Sequence, residues 1–217
     1  MKVALIGASG FVGKAISKEL LDRGHQVTAI VRHPEKVELK SSHLTVVKGD
    51  VMQPDQVAAL VKGHDAVISA YNSGWTNPAI YEDFIRGSKA IQAAVKQAGV
   101  KRLIVIGGAG SLEIAPGVQL VDTPEFPAEY KSGATAARDY LNEIKKEQQL
   151  DWTFFSPAIL MHAGTSGQRK GHYRTSLDTP VFDEKGQSVL SVEDLAVAIV
   201  DELEKPSFVR KRFTAAY

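Results

Sequence analysis

Three glycines follow the apolar run at residues 3–6 and lead into a stretch where Val12, Ile16, Leu20 and Leu21 recur at helical spacing. The segment reads Gly7, Ala8, Ser9, Gly10, Phe11, Val12, Gly13. Few folds turn a strand into a helix through such a segment. Gly7 permits the tight turn, Gly10 leaves room for a phosphate group against the backbone, and Gly13 allows the helix to pack closely on the strand. Free amides at the start of the helix then face the anion, helped by the helix dipole. A glycine pattern alone is weak, but between a strand and a helix it predicts a dinucleotide pyrophosphate site.

The rest of the chain repeats this alternation. β-Branched or apolar runs at 27–31, 44–47, 66–69, 103–106 and 152–155 join residues 3–6 as six expected buried parallel strands. Helical patterns lie between them, such as Ile85, Ala90, Ile91, Ala94 and Val95. The expected fold is α/β: a Rossmann-like, doubly wound parallel sheet with helices on both faces. Its ligand should lie beyond the carboxyl ends of the strands, near the reversal of strand order. The 217 residues suit one domain, 1–217, able to bury roughly 70 % of its unfolded surface. From residue 157 onward the alternation loosens into the glycine-rich segment 163–171, a short stretch around Tyr173, a helix near 192–203 and a terminal strand. This small C-terminal region, 157–217, is expected to form the substrate side.

Composition removes several function classes. A net charge of +1, from 26 basic and 25 acidic residues, gives no general attraction to nucleic acid or to an anionic membrane. The absence of cysteine excludes disulfides, thiolate metal sites and a cysteine nucleophile, and it fits the cytoplasm. No apolar stretch is long enough to span a membrane, and the start of the chain does not read as an export signal. The histidines are dispersed without ligand spacing, so no metal is expected. No GxSxG, SxxK or paired-carboxylate pattern supports a hydrolase. Oligomeric state is not legible.

The second strand ends at Arg32, where an NAD-preferring site places an acid for the ribose hydroxyls. Asp22, the nearest acid, precedes Gly24 and so sits at the wrong end of the strand. Arg32, with His33 beside it, is expected to accept a 2′-phosphate, which favours NADP(H) over NAD(H); the alternative is a solvated arginine. Asp50 and Val51 follow the third strand, where a carboxylate and an amide can meet the adenine edge, although Asp50 could equally stabilise its own loop. Ser69, Ala70 and Tyr71 close the fourth strand, and their backbone could line the ribose and nicotinamide, with Tyr71 alternatively a packing aromatic.

With GASGFVG, VIGGAGSL, DWTFFSPA, GHYR and the closing run SVEDLAVAIVDELEKPSFVRKRFTAAY in view, the chain resembles from end to end the atypical short-chain dehydrogenase/reductase group. It is similar there to the biliverdin reductase B-like, NmrA-like and NADH-flavin reductase-type proteins. The resemblance implies that Gly108, Ala109, Gly110 and Ser111 line the nicotinamide end and that Pro157, Ala158 and Ile159 wall off the carboxamide. One departure bears on chemistry. Orthodox members of the superfamily use a YxxxK pair for proton transfer. Tyr130 is instead followed by Ala134, and Lys131 projects in another direction. A sugar epimerase or dehydratase acting on a nucleotide sugar would lack its acid/base pair. A flavin, quinone or other flat conjugated acceptor can take hydride directly, with solvent supplying the proton.

Ser111 and Tyr130 are the candidate catalytic side chains, as substrate-orienting or proton-donating groups; a turn cap and a packed aromatic are their alternatives. His162 reads as an exposed loop residue, Ser191 with Asp194 as a helix cap, and Arg210, Lys211 and Arg212 as solvated surface. The leading expectation is an NADPH-dependent oxidoreductase with a small, flat substrate. A non-catalytic NmrA-like NADP(H) sensor is the alternative.

Overall fold

The computed structural model describes residues 1–217. In chain order its elements are β1 (Lys2–Ile6), α1 (Phe11–Asp22), β2 (Gln26–Val31), β3 (Leu44–Lys48), α2 (Pro54–Val61), β4 (Ala66–Ser69), α3 (Ile80–Gln97) and β5 (Arg102–Ile106). They continue with β6 (Glu113–Ala115), β7 (Val118–Gln119), α4 (Ala128–Ile144), β8 (Asp151–Ser156), β9 (Arg174–Ser176), α5 (Val192–Glu204) and β10 (Lys211–Ala216). One eight-stranded sheet runs β3-β2-β1-β4-β5-β8-β10-β9, while β6 and β7 form a separate two-stranded ribbon. Seven strands of the main sheet are parallel, and β9 closes its edge antiparallel to β10.

The six expected strands are all present and parallel, each matching to within a residue at either end. The expectation that all are buried fails at β3. Its residues are half-buried or exposed because it is an edge strand, paired on one side only. Nor does a helix of any length join β2 to β3, since only a single turn at Pro34–Lys36 lies between them.

Strand alternation sends side chains to two apolar layers. Val3, Leu5, Ile68, Phe155 and Phe213 pack with Ile16 and Leu20 of α1 and with Leu195 and Ile199 of α5. On the other face, Ala4, Ile6, Val67, Val105 and Phe154 meet Val57 of α2, Ile91 of α3 and Tyr140 of α4. The strand order reverses between β1 and β4, which are direct neighbours in register Ile6 to Ser69. Loops 7–10 and 70–79 therefore emerge side by side at the carboxyl edge, which is where such a sheet collects ligands. No helix is long and apolar enough to cross a membrane.

The C-terminal region is fastened by buried charges. Asp194, fully buried at the start of α5, accepts from the Lys170 and Gly171 amides at 2.9 and 2.7 Å and from the Tyr217 hydroxyl. Ser191 caps the same helix, accepting from the Asp194 amide at 3.1 Å as its sequence suggests. Arg169 clasps Glu19 of α1 through two nitrogens at 2.8 Å. Residues 167–171 are thus tied to α1 and α5.

Candidate functional site

The glycine turn has the shape its spacing predicts. Gly7 sits at φ +82°, and a Cβ there would lie 2.5 Å from the carbonyl oxygen of Ala70. At Gly13 a Cβ would come within 2.1 Å of the Gly7 carbonyl oxygen. Gly10 is different: its nearest neighbour would be 3.4 Å away, so its open side can receive a ligand. Helix α1 begins with no side-chain cap and no acid in its first turn. The amides of Phe11, Val12 and Gly13 donate to no protein acceptor, which is the arrangement an anion would complete. Ser9 is half-buried within the turn, Phe11 is exposed and Val12 packs against the core. These residues fit a dinucleotide phosphate.

A cleft of about 430 Å³ opens beside the ends of β2 and β3, lined by Arg32, His33, Lys48, Gly49, Asp50 and Gln53 among others. Arg32 and His33 are both exposed there. Asp50 does hold its own loop, accepting from the Met52 amide at 2.9 Å, yet it also lines this cleft. Val51 is buried against the core beside α2. Lys48 is a further cation at the cleft, absent from the sequence-based set because a lysine ending an edge strand carries no local signal.

At the end of β4, Ser69 is buried and Ala70 touches the glycine turn. Tyr71 packs its ring over Gly87 of α3 and donates to the Asp83 carbonyl at 3.0 Å. Burial, with Asp83 nearby, pushes its phenol up to about 12. The side chain is therefore a neutral packing group.

Beyond β5, Gly107 lies against the Phe154 ring, Gly108 is half-buried, and residues Ala109–Ser111 make a single tight turn. Gly110 fits under α4, where a Cβ would lie 3.0 Å from that of Ala134. Pro157 and Ala158 are buried after β8, and Ile159 is half-buried with its amide 3.4 Å from the Ser188 hydroxyl.

Ser111 is only 1 % exposed, and its hydroxyl accepts from Arg212 at 3.1 Å. The reading of Arg212 as solvated surface is overturned. Its side chain is buried, pairs with Asp178 at 2.7 Å and reaches Ser156 at 3.4 Å. The reason is register: Arg212 pairs with Phe154 in the interior of the sheet, and alternation turns it inward with Ser156. Ser111 thus braces the loop, while Tyr130 stands 47 % exposed at the start of α4 and its hydroxyl bonds to no protein group. Ala134 is buried at the position where YxxxK would supply lysine. Trp75, which sequence reasoning passed over, meets Tyr130 edge to face at 5.4 Å; a bulky aromatic in a polar loop after a strand was the available signal. His162 is exposed and caps the turn after it. No group of three or more His, Asp or Glu residues could hold a metal ion.

Comparison with known proteins agrees with this geometry. A family described as NAD(P)H-binding matches residues 7–206. The uncharacterised protein YwnB of Bacillus subtilis is 38 % identical over 99 % of this chain and 97 % of its own. A solved Bacteroides thetaiotaomicron protein, named a candidate epimerase, is 48 % identical with a TM-score of 0.92, covering 100 % of this chain and 96 % of that one. A candidate NADH-flavin reductase from Streptococcus pneumoniae is 36 % identical with a TM-score of 0.83 and covers 100 % and 99 %. With its glycine turn shaped for a dinucleotide phosphate and the match running through nearly its whole length, the chain belongs to the NAD(P)H-binding family of Rossmann-fold, oxidoreductase-like proteins.

Proposed function

We propose that the protein is an NADPH-dependent reductase delivering hydride to a flavin, quinone or similar flat conjugated acceptor. The observation that carries this reading is the unassisted Tyr130: buried Ala134 takes the place of the lysine, and no hydrogen bond reaches the phenol. Bound NADPH would supply the hydride, and the accompanying proton comes from solvent, which a conjugated ring tolerates and an unactivated alcohol or sugar carbon does not. The glycine turn holds the pyrophosphate, loops 69–71 and 108–110 flank the ribose and nicotinamide, and residues 157–159 stand against the carboxamide. The same missing lysine argues against the epimerase chemistry named for the Bacteroides relative.

The test is a spectrophotometric screen of NADPH and NADH oxidation across flavins, quinones, simple carbonyls and nucleotide sugars. Turnover confined to flat conjugated acceptors is the expected result. Tight cofactor binding with no turnover of any acceptor would overturn it in favour of a sensor.

The preference for NADP(H) rests on Arg32, His33 and Lys48 around one cleft. Charge-assisted bonds to a phosphate contribute about 1.5–3 kcal/mol each. Arg32→Glu should therefore weaken NADPH binding by roughly 10-fold to 100-fold while changing NADH binding little, measured by fluorescence titration of both. Equal losses would remove the assignment.

A further inference from the structure

Trp75 lies in the loop beyond β4, and Tyr130 lies on the first turn of α4, the helix that follows β4's parallel neighbour β5. They are 55 % and 47 % exposed, their centroids are 5.4 Å apart, and their planes meet at 87°. Both keep an unused polar atom, the indole Nε1–H and the phenol oxygen, neither of which has a protein partner on this exposed surface. A single turn of α4 separates this pair from the loop expected to hold the nicotinamide. A Cβ at Gly133 would sit 2.8 Å from the Trp75 ring, and one at Gly110 would sit 3.0 Å from the Ala134 Cβ.

We propose that Trp75, fixed edge-on by Tyr130, is the wall on which the acceptor ring stacks and that it sets the preference for flat conjugated acceptors. This rests on the reductase reading. The chemistry recognised is an extended aromatic or quinonoid ring carrying carbonyls at its rim. The apolar faces suit the ring, and the two unused polar atoms suit its carbonyl edge. Gly133 keeps the arrangement close, because any side chain there would strike both Trp75 and Ile80. A small saturated carbonyl has no face to stack and would gain little from the wall.

The protein contains two tryptophans, and the other, Trp152, is buried with its indole N–H bonded to the Glu147 carbonyl. Trp75 is thus the exposed fluorophore, and it reports contact without any turnover. FMN and menadione would be titrated into full-length protein saturated with NADP⁺, following tryptophan emission and, independently, equilibrium dialysis. Emission of the wild type should fall on ligand binding. Trp75→Ala should weaken FMN binding about tenfold, Trp75→Phe should recover most of that affinity while losing the emission change, and NADP⁺ affinity should hold in both. Unchanged FMN and menadione affinity in Trp75→Ala, or no binding of either probe by the wild type, would overturn the wall. Binding with quenching but no NADPH oxidation would leave the wall standing and remove the reductase reading.

Discussion

Gly13→Ala is expected to lower NADPH affinity by about 100-fold or more, roughly 2.7 kcal/mol, and to destabilise the fold as well. The added methyl would lie 2.1 Å from the Gly7 carbonyl oxygen and 2.8 Å from the Ala8 Cα, both main-chain atoms that cannot swing aside. Relief requires the turn to open, and overpacking of this kind costs about 1–3 kcal/mol even where side chains can adjust. Opening the turn also misdirects the Phe11, Val12 and Gly13 amides, which have no protein acceptor and are proposed to hold the pyrophosphate. Gly10→Ala makes the informative contrast. Its Cβ meets nothing closer than 3.4 Å, so thermal stability without cofactor should stay near wild type while NADPH affinity falls, because the methyl occupies space meant for the phosphate. Thermal unfolding of the two variants with and without NADPH separates the effects. Wild-type affinity in Gly13→Ala would show that the turn does not hold the phosphate.

Glu202→Ala should be the most damaging change far from the site. Glu202 is 3 % exposed near the end of α5 and meets Arg102 of β5 at 2.7 Å. It also accepts from the Thr153 hydroxyl at 3.0 Å and from the Ser207 and Phe208 amides at 2.8 and 3.1 Å. Removing the carboxylate leaves a buried guanidinium without its counter-charge and two amides without an acceptor. Breaking a buried pair from one side costs about 3–5 kcal/mol, which for a chain of this size lowers the melting temperature by on the order of 10 °C. Glu202→Gln keeps an oxygen acceptor and should lose less. A shift of under about 2 °C in Glu202→Ala would contradict the account. Cofactor affinity measured well below the melting point should be preserved, since Arg102 opens β5 at the end opposite the 107–111 loop proposed to flank the nicotinamide.

Much of the fold was legible because it is written locally. The apolar runs that became β1, β2, β4, β5 and β8 are flanked by turn residues and separated by helical spacing, and Gly7 to Gly13 specify their turn within seven residues. What escaped was set by distant neighbours. The edge position of β3 depends on which strands lie beside it, and no feature within residues 44–47 announces it. Arg212 sits in a run of three basic residues that looks like solvent-facing charge. Only the placement of β10 between β8 and β9 turns it inward toward Ser111 and Ser156. Asp194 was recognisable as part of a helix start, but its bonds to the Lys170 and Gly171 amides cross more than twenty residues. Trp75 was visible as a residue and meaningless as a site until α4 brought Tyr130 and Gly133 against it.

The bond between Arg212 and Ser111 joins positions 101 apart in the chain. Contacts this distant in sequence form only after the intervening segments have collapsed, because closing so long a loop must precede any return from the contact. The brace on the turn at Ala109–Ser111 therefore comes from a strand placed late, between two partners that must already be near. During refolding, the turn at residues 7–13, specified within seven residues, should take its local shape before the Ala109–Ser111 turn gains this brace.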